Sequence, residues 1–92
     1  MTTTVQVSAD HLFRLAEAAG TQDGSAAELA YEILINDVSQ EVRLKARFQL
    51  ARLEKRQGHF QRAAELLKQV LEHRPEAVRV RSELADVLSK IE

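Results

Sequence analysis

The 92 residues carry one proline, three glycines and no cysteine, with 45 % apolar side chains, 29 % charged side chains and a net charge of −1. A chain of this length closes one core with nothing left for a second, and it is too apolar for a disordered segment. The missing thiols exclude a disulfide framework and a thiolate-held metal, while 4 % aromatics and few helix breakers favour long helices over a turn-rich sheet.

The expected elements follow in chain order. Residues 1–7 are polar and threonine-rich, with only Val5 and Val7 alternating, and read as a loose tail ahead of a single domain over 8–92. Ser8 caps a first helix in which Leu12, Leu15, Ala16 and Ala19 recur at helical spacing until Gly20. Gly20 to Gly24 is a loop by composition. Ser25 followed by Glu28 reads as a capping box for a second helix, with Ala26, Leu29, Ala30, Ile33 and Leu34 facing inward. Ser39 caps a third helix with the stripe Val42, Ala46, Leu50 and Leu53, widened by Phe48 and Ala51 and stopped by Gly58. The fourth helix runs from near Phe60, burying Ala63, Leu66, Leu67, Val70 and Leu71, and closes before Pro75. A fifth follows, with Val80, Leu84, Val87, Leu88 and Ile91 on its inner side.

Helices two and four look like copies: the run Ala26 to Leu34 laid over Ala63 to Leu71 matches Ala-Ala-Glu-Leu in a row, then Ile over Val and Leu over Leu. The Leu50-Ala51 pair recurs as Leu15-Ala16 and Leu84-Ala85. The expected architecture is all-α, an antiparallel helix-pair repeat in the order A-B-A-B-A.

The stretch from Leu44 to Ala77 resembles the tetratricopeptide repeat, whose period is about 34 residues. Leu50-Ala51, Gly58-His59-Phe60, Ala63, Val70 and Pro75 stand in the order of that family's signature; Arg47 and Glu54 depart from it, occupying positions where aromatic residues are usual. A shorter stretch, Arg74 to Asp86, is similar to bacterial arrays attached to envelope assembly proteins. The first resemblance implies about two and a half repeats in a right-handed α-solenoid fragment whose fifth helix caps the stack. It also implies that the first helix of each pair lines a concave groove for peptides. The residues so placed are Lys45, Phe48, Gln49, Arg52 and Lys55 on helix three and Arg79, Ser82, Glu83 and Asp86 on helix five. On helix one they are Asp10, Phe13, Arg14 and Glu17.

Independently of the family, Lys45, Gln49, Arg52 and Arg56 share one helix face, off the apolar stripe. Up to Val42 there are seven acids against one base; from Arg43 onward twelve bases stand against seven acids. Such asymmetry concerns partners rather than fold. It points to an acidic peptide or protein ligand, or else to a homo-oligomer in which acidic and basic halves of neighbouring copies meet.

Catalysis and cofactors find no support in the residues. His11, His59 and His73 form no helical metal-ligand pair, no phosphate-binding glycine loop is present, and no nucleophile stands beside a base. Carboxylates such as Glu65 and Glu72, spaced around Lys68, read as surface ion pairs. A nucleic-acid partner is not expected from a net negative chain without a stacking surface. No apolar run is long enough to insert in a membrane and the first residues lack a secretion signal, so the expectation is a cytoplasmic protein as the sequence stands, or a periplasmic one if a leader has been removed.

Overall fold

A computed structural model describes residues 8–20 and 24–91. Five helices follow one another: α1 (Ala9–Gly20), α2 (Gly24–Leu34), α3 (Gln40–Arg56), α4 (Phe60–His73) and α5 (Val78–Ile91). The expected tail over 1–7 and the loop residues 21–23 lie outside the described residues.

Local chemistry sets most of the boundaries. The Ser8 hydroxyl accepts the His11 amide at 3.2 Å and the Ser39 hydroxyl accepts the Val42 amide at 3.4 Å, each satisfying a donor that the first helical turn leaves open. The α2–α3 connection is pinned by Arg43, which donates to the carbonyls of Asp37 and Val38 at 2.7 and 2.9 Å. Gly58 ends α3 with φ 84°, a left-handed conformation that a Cβ would strain. The second helix already includes Gly24, so Ser25 lies inside it rather than capping it.

The helices pack as antiparallel hairpins, α1 on α2, α3 on α4, then α5 on α4, in a slab of 55 × 30 × 16 Å. One core runs through it, built on Leu34, Leu50, Leu67 and Val87 with small residues where helices approach: Ala16, Ala27, Ala46, Ala51 and Ala63. On α4 and most of α3 the expected stripes are the buried ones. On α2 they are not. The inner face is Ala27, Tyr31 and Leu34, while Leu29 and Ile33 are exposed. Ala27, Tyr31 and Leu34 match the buried Ala63, Leu67 and Val70 of α4 at the same four- and three-residue steps. The repeat is real, but its structural register is one residue off the best sequence overlay. In that register Leu29 and Ile33 take the places of Glu65 and Gln69, both exposed on α4.

The first helix shows a related shift: Phe13 is buried with Ala16, and Leu15 faces out. The expected groove position of Phe13 is thereby corrected to a core position, in contact with the Tyr31 ring at a centroid distance of 6.3 Å. On α5, Leu88 and Ile91 are exposed although Val80 and Val87 are buried, because no further described helix covers that side.

Candidate functional site

Helix α3 lies against both α1 and α5, whereas α2 and α4 make no close backbone approach among the described residues. The stack therefore bends toward the α1–α3–α5 side, and the expected groove residues sit on these helices. Their side chains fall into separate clusters rather than one continuous basic stripe.

At one end Lys45 places its ammonium 4.3 Å from the centroid of the Phe13 ring. Near the middle, the half-buried Phe48 carries the Arg79 guanidinium at 5.8 Å, linking α3 to α5. Farther along α3, Lys55 reaches across to α5 and donates to Glu83 at 3.1 Å and to Asp86 at 2.5 Å. The hydrogen bond to Asp86, then that to Glu83, raises the Lys55 pKa, and the same lysine holds the Asp86 carboxyl below its ordinary range. Exposed pairs of this kind add little to stability. Their larger effect here is to consume the Lys55 charge within the molecule.

Two cations of α3 on this face stay uncommitted. Arg52 and Arg56, one turn apart on α3, form no ion pair among the described residues and line a cleft of about 240 Å³ with Gln49, Tyr31 and Glu17. Tyr31 donates its hydroxyl to Gln49 Oε1 at 3.0 Å, fixing the amide that borders the cleft. Burial, then the nearby Glu17 charge, pushes the Tyr31 phenol upward, so it remains a donor at neutral pH. Sequence reasoning missed Tyr31. The available signal was the chain's one tyrosine lying four residues after Ala27, a spacing that puts both on one face.

A second charged group lies behind α3. Glu54, a departure from the family pattern, is 1 % exposed. Its Oε2 accepts from His59 Nδ1 at 2.8 Å, with Arg62 Nε at 4.0 Å, while Arg62 also holds Glu32 of α2. Thus a polar network, not an aromatic ring, fills this junction. The other carboxyl oxygen of Glu54, Oε1, is buried without a hydrogen-bond donor, and the Glu28 carboxyl of α2 is near enough to feel the Glu54 charge. Burial first, then the Glu54 charge, raises the Glu28 pKa.

A raised folded-state value means that the folded chain binds this proton more tightly than the unfolded one. Wild-type stability then falls as pH rises from the ordinary glutamate value of 4.5 through the raised one. Glu28→Gln, which removes the charge and offers Glu54 a donor, is expected to raise the melting temperature at neutral pH and to lose that advantage below about pH 4. Paired melting curves across this pH range check it; an equal shift at every pH would contradict the carboxyl pairing.

The anticipated ion pairs of Glu65 and Glu72 with Lys68 do not form among the described residues; the observed pairs mostly span helices, as with Arg74 and Glu41. No group of three or more His, Cys, Asp or Glu side chains suited to a metal ion occurs among the described residues, and none of their helices is long and apolar enough to cross a membrane.

The architecture defines an all-α stack of antiparallel helix pairs. Residues 44–87 match the tetratricopeptide repeat family model, and this span, from α3 through most of α5, belongs to that family. No curated protein and no solved structure matches the chain. Tetratricopeptide repeats generally mediate protein–protein interaction and are typically non-catalytic.

Proposed function

We propose that the α1–α3–α5 face binds an acidic peptide segment of a partner protein, with Arg52 and Arg56 as its principal anchors. The observation that carries this reading is the pairing pattern. Lys55 is taken by Glu83 and Asp86, and Lys45 and Arg79 lie over aromatic rings, which leaves two guanidinium groups one turn apart at a cleft that they share with a fixed amide, a phenol and the single carboxylate of Glu17. Guanidinium forks accept carboxylates in bidentate geometry, and two of them one helical turn apart suit acidic side chains on an extended or helical segment. Phe48 and Gln49 supply apolar and amide contacts beside them, while Lys45 adds to the field that draws the ligand in. Lys55, Glu83, Asp86 and Arg79 hold α5 against α3 and so shape the far wall of the groove.

Charge reversal separates binding from folding, because both arginines are exposed on a helix face away from the core. Arg52→Glu with Arg56→Glu is expected to retain wild-type helicity and to weaken binding to glutamate-rich peptides at least about tenfold, about 1.4 kcal/mol. Fluorescence anisotropy titrations at two salt concentrations measure this, and wild-type affinity should fall as salt rises. A double variant that binds every acidic peptide as well as the parent would overturn the proposal.

A further inference from the structure

Glu17 is the one acid lining the cleft that Arg52 and Arg56 border. Helix α1 meets α3 at Lys45, whose ammonium lies 4.3 Å from the centroid of the Phe13 ring, and at Arg56, whose Nη2 lies 3.5 Å from the place a Cβ on Gly20 would take. Glu17 stands one turn after Phe13 and one turn before Gly20, on the same side of α1. It therefore falls between those two contacts, across from Arg52 and Arg56. Burial raises the pKa of the Tyr31 phenol first and Glu17 next, while Arg56 and Arg52 pull it back, so all three charges act at one hydroxyl. Yet none of the three forms an ion pair among the described residues.

Two unspent cations and one unspent carboxylate thus share one open cleft. A ligand carboxylate that enters between the arginines also meets Glu17. With neutral neighbours it gains the guanidinium hydrogen bonds and loses part of that gain to repulsion. An ammonium or guanidinium carried beside it turns the repulsion into a second attraction. A segment with two carboxylates and one cation then matches the cleft charge for charge.

We infer that Glu17 sets the charge pattern of the partner: the acidic segment read by this groove carries a basic side chain among its carboxylates. The inference rests on the α1–α3–α5 face being the peptide groove, and it adds what that face discriminates. The field of the basic residues alone gives the opposite order, since Lys45, Arg52 and Arg56 favour the more negative peptide.

The probe is a set of end-capped, glutamate-rich peptides with a constant number of carboxylates, in which one lysine replaces glutamine at each non-acidic position in turn. In anisotropy titrations against wild type, lysine at one or two positions is expected to tighten binding about two- to fivefold over the lysine-free peptide, the range that exposed ion pairs supply. Glu17→Gln takes an exposed acid out of the last turn of α1, where the helix dipole disfavours it, so the fold is kept and circular dichroism verifies this. This variant is expected to lose the lysine gain and to bind the lysine-free peptide more tightly than wild type does. If no lysine position tightens binding to wild type, or if the gain survives in Glu17→Gln, the inference is overturned while the groove stands. The groove has its own control in Arg52→Glu with Arg56→Glu: if that variant binds the lysine-free peptide as well as wild type does, groove and inference fall together.

Discussion

Leu50→Ala is expected to cost about 2–5 kcal/mol, a large part of what holds together a chain of this size. Leu50 is 0 % exposed and sits in the middle of α3, the helix that touches all four others. Removing three carbons there loses their transfer free energy and leaves a cavity that α2 and α4 cannot both close. Ile33→Ala is the matched comparison. On the repeat overlay read from sequence, Ile33 is a core residue and would cost nearly as much; at its observed exposure it should fall within about 0.5 kcal/mol of wild type. Urea unfolding of both variants, read as midpoint shifts at constant slope, discriminates the registers. Equal large losses would return Ile33 to the core.

Ala63→Leu should destabilise by about 1–3 kcal/mol in the opposite way, through excess volume. Ala63 is 0 % exposed at the start of α4, and α3 presents its own small residues, Ala46 and Ala51, to the core. A leucine at Ala63 forces the α3–α4 pair apart or drives its own side chain off rotamer, and either response disturbs the hairpin on which α5 rests. Ala85→Leu adds the same atoms to an exposed site on α5 and serves as the reference. Thermal melts that fail to separate the two would mean that the α3–α4 crossing lies elsewhere.

The fold was legible where several signals agreed. In α3 and α4 the helical period, the Ser39 cap, the Gly58 stop and Pro75 all coincide, and the helices lie where they were expected. In α2 the period alone was ambiguous. Ala26, Leu29 and Ile33 make as regular an apolar stripe as Ala27, Tyr31 and Leu34, and periodicity cannot tell which stripe meets the neighbouring helix. Leu15 and Phe13 on α1 posed the same choice, and the larger ring went inside. Exposure at the end of the stack, of Leu88 and Ile91, was equally invisible because it depends on what packs next, a tertiary fact. At the candidate site, sequence placed Gln49, Arg52 and Arg56 on one face; which lysines are already paired depended on α5 lying one side chain away from α3. Glu54 was noticed only as a lost aromatic, since nothing local shows that Arg62 and His59 converge on it.

That substitution at Glu54 also bears on how the molecule opens. An aromatic ring at this junction would weld neighbouring hairpins with water-excluding contact, whereas Glu54, Glu28, Arg62 and Glu32 join them by charge. The α2–α3 seam is also less extensive than the α1–α2 or α3–α4 packing. In a linear stack, stability divides into units and the seams between them, and the weakest seam decides where cooperativity breaks. The break is therefore expected between α2 and α3, and hydrogen exchange should show the amide protons of α1 and α2 exchanging faster than those of α3 to α5. Because charged groups join this seam, the difference in exchange should grow with ionic strength.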